Sequence, residues 1–398
     1  MNSLRGKAAI VGVGELKPIK KAPDDKTGYG LAAESAAMAI ADAGLAREDI
    51  DAILIEPPLV EPHMGPPSYM AEYLGIPIRY GATGATMGAS AASMVWRAAA
   101  AISAGLCHTV LCITGELIDP MKMAMLMSKY EPGRGLFGPE EQYSAPYGPA
   151  GAPTSYAHIA TRHAFEYGTT DEQRARIAVD QRTNACANPK AMFYGRPITI
   201  EDVINSRVIS SPLRLLEIVM PVSGAASVVV TSAERAKAMR HPPCYILGAG
   251  EYISYCDLTE SPHTTTSPVK ESARVAFEMS GYNARDMQMV QAYDCFTITV
   301  MITLEDAGFC PKGESGPFCW ETDMTYKGKL PVNTHGGQLS FGQAGLAGGM
   351  SHITEGALQI MGRGEERQIK DLDIGFINGN GGYMSEQTSL IFGTEATL

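Results

Sequence analysis

Three short stretches of this chain carry side chains able to move protons or attack a carbonyl. Tyr293-Asp294-Cys295-Phe296 sets a phenol, a carboxylate and a thiol in a row. "NTHGG" offers His335 beside two glycines, and Gly342-Gln343-Ala344 follows it. "NGNGGYMS" places a second phenol, Tyr383, after a glycine run that includes Gly382. A phenol of ordinary pKa about 10 is a weak base at neutral pH unless nearby donors stabilise its phenolate. A thiolate could form a covalent intermediate. Glycine-rich turns can present backbone N–H groups to an oxyanion. Each residue also has a plainer use. The tyrosines could be wall aromatics with satisfied hydroxyls, Cys295 a buried inert thiol, and His335 a partner within its own turn. Gln343 can donate a hydrogen bond but cannot act as a base.

Other patterns carry less. Gly12-x-Gly14 and Gly248-x-Gly250 have the look of a dinucleotide loop, but Lys17 and Ile253 stand where the third glycine belongs. The methionine-rich Met121–Tyr130 could be an adaptable wall for an apolar ligand or simply core. The eight cysteines show no Cys-x-x-Cys spacing, so neither a metal site nor a disulfide framework is indicated, and a reducing cytoplasm is expected. The net charge of −11 argues against nucleic acid as a partner. No apolar run is long enough to span a membrane, and "MNSLRGKAAIVGVGE" lacks the apolar core of a signal peptide.

The elements that must position these residues come in duplicate. "AAIVGVGE" (Ala8 to Glu15) returns as "CYILGAGE" (Cys244 to Glu251). An Ala-rich amphipathic helix ending at Gly44 follows the first copy, and "KESARVAFEMSGY" follows the second. Then come "AREDIDAILIEP" and "ARDMQMVQAYDCF", each leading into a strand. "GATMGASAASMVWRAAAAISAG" matches "GQAGLAGGMSHITEGALQIMGRG" as a small-residue turn and helix. Each half then reaches a strand, "HTVLCITGE" or "LDIGFINGNGG". Strand–helix alternation implies an α/β fold of parallel sheet with helices on it. The expected division is a first half from residues 1–115 with 216–240, an inserted loop domain over 116–215, and a second half over 241–398. The Gly/Pro/Tyr-rich insert, with helices expected over Pro153–Tyr167 and Asp171–Ala187, is the kind of segment that covers a binding site.

With "VSGAASVVVTSAERAKA", "YDCFTITVMITLEDAGFC", "VNTHGGQLSFGQAGLAGG" and "NGNGGYMSEQ" added, the chain resembles the thiolase superfamily over its whole length, in particular the sterol-carrier or lipid-transfer type. The resemblance implies a five-layer α-β-α-β-α thiolase fold of duplicated βαβαβ halves, a homodimer and an acyl-CoA substrate. It also marks four departures. A thiolase carries a nucleophilic cysteine at the turn that opens its first buried helix. Here that place falls near Ala85 to Met87 in "GATGATMGASAAS", with no cysteine between Gly81 and Ser93. The family's Gly-His-Pro turn reads Gly342-Gln343-Ala344. Asn378 stands near the place of the acid/base cysteine. The His-Asp-Cys-Phe turn of lipid-transfer thiolases begins with Tyr293.

Without an acyl-enzyme, what survives is stabilisation of a thioester enolate. A retro-aldol cleavage needs that enolate and two proton transfers. The pattern is similar to thiolase-like aldolases that shorten steroid side chains and work with a small zinc-ribbon/OB-fold partner protein. By that resemblance Tyr293 and Tyr383 are the catalytic pair. Met87, Gly88, Asp294, His335, Gln343 and Gly382 are expected to contact substrate, and neither metal nor cofactor beyond the CoA thioester is expected. The alternatives are a Claisen-type thiolase completed by a partner subunit and a non-catalytic acyl-CoA or lipid carrier.

Overall fold

The computed structural model describes residues 4–118, 145–148, 151–255 and 258–398; Met121–Tyr130 lies outside them. The first half runs β1 (Ala8–Glu15), α1 (Gly28–Ala43), β2 (Ala52–Glu56), α2 (Pro66–Leu74), β3 (Tyr80–Thr83), α3 (Ser90–Ser103) and β4 (Thr109–Glu116). Helices α4 (Ala152–Tyr167) and α5 (Asp171–Cys186), a small hairpin of β5 (Val208–Ser210) and β6 (Leu213–Arg214), and β7 (Gly224–Ser232) follow. The second half runs β8 (Cys244–Ile253), α6 (Val269–Ser280), β9 (Val290–Ala292), α7 (Thr297–Asp306), α8 (Met350–Ile360), β10 (Ile374–Gly381) and β11 (Glu386–Gly393).

The strand order β3-β2-β4-β7-β1-β8-β11-β10-β9 reads as one plan reversed about its middle. Strands β2 and β4 pair in parallel, as do β9 and β10. Strands β7 and β11 return antiparallel in their halves. The halves meet edge to edge through only two residue pairs, Ala9↔Tyr245 and Ile10↔Cys244. Helices α3 and α8 each touch strands of both halves and share one core with them, which includes Val95, Ala98, Ile353, Ala357, Ile10 and Leu390. Helices α1 and α6 pack on the strands from outside. The layering is therefore α-β-α-β-α, with α3 and α8 at the centre.

The repeated Gly-x-Gly is a packing device. A Cβ at Gly12 would lie 2.3 Å from the Ala39 carbonyl oxygen of α1, and one at Gly248 would lie 2.1 Å from the Ala276 carbonyl oxygen of α6. Only glycine lets these helices sit so close to their strands. Paired serines lock both contacts: Ser35 Oγ lies 2.7 Å from Ser227 Oγ, and Ser272 Oγ lies 2.9 Å from Ser389 Oγ. Gly44 ends α1 in the left-handed region at φ 70°, and Gly281 ends α6 at φ 77°. Among the described residues no helix is long and apolar enough to cross a membrane.

Candidate active site

A cavity of about 320 Å³ opens where strand ends of the second half meet the turn before α3. Open α/β sheets tend to bind ligands at the carboxyl ends of their strands. Strand β9 delivers Tyr293 and Cys295, and β10 delivers Asn380 and Gly382. The turn before α3 delivers Met87 and Gly88, the turn before α8 delivers Gln343 and Leu346, and the start of α4 delivers Tyr156. Ile218, Val219, Pro221 and Phe296 make an apolar wall.

Tyr293 is 4% exposed. Gln343 Nε2 donates to its hydroxyl oxygen at 2.9 Å. Burial drives its pKa up, the neighbouring Cys295 adds to this, and the Gln343 hydrogen bond offsets only part. The phenol is therefore neutral at physiological pH. Gln343 acts as the donor in this contact, so the phenol's proton is not given to Gln343. Gly88 makes room for it, since a Cβ there would lie 2.5 Å from the Tyr293 hydroxyl.

Met87 occupies the turn before α3. It sits in the left-handed region at φ 47° and is 46% exposed. The turn is fixed by Ser90 Oγ, which accepts from the Thr86 N–H at 3.0 Å, and by Thr86 Oγ1, 2.9 Å from Ser93 Oγ. A thioether has no proton to lose and forms no acyl intermediate. Cys295 faces the cavity, but burial pushes its thiol up to about 12, so it stays protonated at neutral pH.

The remaining expected residues stand behind this surface. Asp294 is fully buried and accepts from the Gln338 and Leu339 N–H groups at 2.8 and 3.1 Å, with His352 Nε2 at 3.1 Å. It ties the "NTHGG" turn to the end of β9. Burial raises its pKa and the His352 contact pulls the other way, with the net shift upward. His335 is 2% exposed, with Nε2 3.2 Å from Ser351 Oγ and its carbonyl accepting from Asn188 Nδ2 at 3.0 Å. Burial holds its pKa well below the usual value, so the imidazole is neutral. Tyr383 is half-buried and packs its ring edge-on against Tyr156, 6.3 Å between centroids, while its neighbour Gly382 lines the cavity. The fold thus gathers Met87, Gly88, Tyr293, Gln343 and Gly382 on one surface. Asp294 and His335 form a supporting layer, and Tyr383 stands beside Tyr156.

Two residues of this surface escaped sequence reasoning. Tyr156 lies on the buried face of α4 with Ile159, Ala160 and His163, a pattern that reads only as helix packing. Asn380 lies inside the glycine run, where its side chain gave no signal beyond a turn.

Residues 250–394 match the thiolase C-terminal domain-like family. The chain is 32% identical over 369 residues to a steroid side-chain-cleaving aldolase of Thermomonospora curvata, covering 91% of this chain and 92% of that protein. It is 34% identical over 372 residues to the 17-hydroxy-3-oxo-4-pregnene-20-carboxyl-CoA lyase of Mycobacterium tuberculosis, covering 90% and 92%. The solved structure of an Ltp2-ChsH2(DUF35) aldolase superposes with a TM-score of 0.86 at 31% identity, covering 98% of this chain and 99% of that one. Fold and relatives agree, and the chain belongs to the thiolase superfamily, alongside its sterol-carrier-type and side-chain-cleaving aldolase members.

Proposed function

We propose that this protein is a carbon–carbon lyase that cleaves a bulky β-hydroxyacyl-CoA of the steroid side-chain kind by retro-aldol chemistry. The β-hydroxyl loses its proton, the Cα–Cβ bond breaks, and a ketone leaves. The electron pair passes into a thioester enolate, whose Cα is then protonated to give a shorter acyl-CoA. The observation that carries this reading is the pairing of Met87, which cannot attack, with a neutral Tyr293 beside it. Tyr293 is assigned the acid role, and Tyr383, next to the cavity-lining Gly382, the opposite transfer. Met87, Gly88, Gln343 and Gly382 are assigned contacts to the thioester, and Asp294 and His335 hold the turns behind them. The apolar wall of Ile218, Val219, Pro221 and Phe296 suits a bulky acyl group. No cofactor beyond the CoA thioester enters the scheme.

A Claisen-type reading needs a thiolate, and the thiol on this cavity, Cys295, is held near 12 by burial. A carrier without catalysis would leave the orientation of Tyr293 by Gln343 without a use. The aldolase that superposes on this chain carries a DUF35 partner in its assembly. A small zinc-ribbon/OB-fold partner, a homodimeric core and a cytoplasmic setting are proposed here on that likeness and on the cysteine usage. Product analysis tests the reaction. Incubation with a β-hydroxyacyl-CoA branched at Cβ, with and without the partner, is expected to yield ketone and shortened acyl-CoA in equal amounts. Recovery of intact substrate under both conditions, or acyl transfer to added CoA, would overturn it.

A further inference from the structure

A directed chain of hydrogen bonds leads from buried amides to the cavity wall. Asn378 Nδ2 donates to Gln387 Oε1 at 3.1 Å, and Gln387 Nε2 donates to Asn380 Oδ1 at 2.6 Å. Asn380 Nδ2 donates to the Tyr156 hydroxyl oxygen at 3.0 Å, and that hydroxyl donates to the Gly382 carbonyl at 3.0 Å. All four side chains are buried. A primary amide donates on one side and accepts on the other, so the sense of the chain is fixed and cannot titrate near neutral pH. Tyr156 accepts from Asn380 and donates to the Gly382 carbonyl, with the Cys295 thiol also within hydrogen-bond reach of its hydroxyl. Tyr293 is held differently, its hydroxyl oxygen accepting from the Gln343 amide.

The Gly382 carbonyl belongs to the peptide that carries the Tyr383 N–H. That peptide sits in a turn in which Gly382, at φ 60°, takes the left-handed region freely and Met384, at φ 62°, takes it at a cost. The Tyr156 ring is itself held by stacking on Phe296, 4.3 Å between centroids at 23°. We propose, resting on the retro-aldol reading above, that Tyr156 is a positioning residue. Its hydroxyl clamps the Gly382–Tyr383 peptide and so fixes where Tyr383 stands relative to the substrate. It gives no proton to the substrate. The segment between the two halves thus contributes a brace to the site through α4.

The test uses the full chain, with the partner protein where activity needs it, and the variants Tyr156→Phe and Asn380→Ala. Phenylalanine keeps the stack on Phe296, and Asn380→Ala leaves the ring untouched, so at least one variant reports on a folded site. The expected result for each is faster hydrogen exchange at the Tyr383 amide and a kcat lowered about tenfold, the size of a lost neutral hydrogen bond. KM should stay within about twofold, the pH profile should keep its shape, and the double variant should be no worse than either single one. Unchanged exchange at Tyr383 in both variants would overturn the clamp. So would a loss in Tyr156→Phe as deep as in Tyr293→Phe with the basic limb of the pH profile altered, which would make Tyr156 the acid itself. If the wild-type protein cleaves no β-hydroxyacyl-CoA, the reaction reading fails alone, and the exchange measurement still decides the clamp.

Discussion

The halves agree where helices lie on strands and differ where strands end. Strands β2 and β9 both leave a 3₁₀ turn closed by an aspartate: Asp49 accepts from the Ala46 N–H at 2.9 Å, and Asp286 from the Asn283 N–H at 2.8 Å. Glu56 and Tyr293 stand the same number of residues beyond those aspartates, at matching strand ends. Both are buried, and burial pushes both pKa values up, Glu56 to about 7. Yet among the described residues Glu56 Oε2 has no hydrogen-bond partner; the carboxyl has Ser90 beside it and faces the carboxylates of Glu116 and Glu386, whereas Tyr293 meets Gln343 and the cavity. The Gly-x-Gly contacts cannot vary without pushing a helix off its sheet. The strand ends carry no such constraint, and one copy sets a phenol on the cavity while the other holds a buried acid.

The deepest way to break this comparison is Tyr293→Phe. It removes only the hydroxyl, so kcat should fall by roughly 10²–10⁴-fold with little change in CoA affinity, as steady-state kinetics and CoA titration would show. The packing side of the comparison is broken by Gly12→Ala and Gly248→Ala. Each Cβ meets a helix carbonyl, so both variants should lose about 1–3 kcal/mol or more in denaturant titrations, and by similar amounts.

Glu56 and Glu116 sharpen it. Burial raises both to about 7, against about 4.3 for a glutamate in the unfolded chain. Between these values the folded state holds protons that the unfolded state has released, so stability falls as pH rises through that window and stays lowered above it. Glu56→Gln or Glu116→Gln should therefore gain on the order of 1 kcal/mol at pH 8 and nothing at pH 4. Urea titrations at both pH values check this; an equal effect at both would contradict the shift. Smaller still is Gln343→Ala, expected to cost kcat roughly 2–10-fold by unseating one neutral hydrogen bond on Tyr293. Iodoacetamide at pH 8 should have the least effect on activity, because the Cys295 thiol titrates only near 12.

Much of this was legible before the structure. The duplication showed because Gly12, Gly14, Gly248 and Gly250 are bound by packing in both copies. The lack of a cysteine between Gly81 and Ser93 showed because a cysteine is a residue type that can be counted. The orientation of Asp294 and His335 away from the cavity was not legible, because strand alternation stops at a turn and cannot say which way the next side chain faces. Tyr156 was hidden for another reason: it reaches Asn380 and Gly382 across more than half the chain, and nothing local marks that contact.

The central claim is that the Met87–Tyr293 site breaks a carbon–carbon bond without forming an acyl-enzyme. The most direct measurement is turnover of a branched β-hydroxyacyl-CoA in D₂O, quenched during the steady state, with mass spectra of the products and the intact protein. The account predicts a shortened acyl-CoA carrying a single new deuterium at Cα, a ketone without one at the cleaved carbon, and unchanged protein mass. A protein heavier by the acyl group, mapped to Cys295 or any other cysteine, would contradict it.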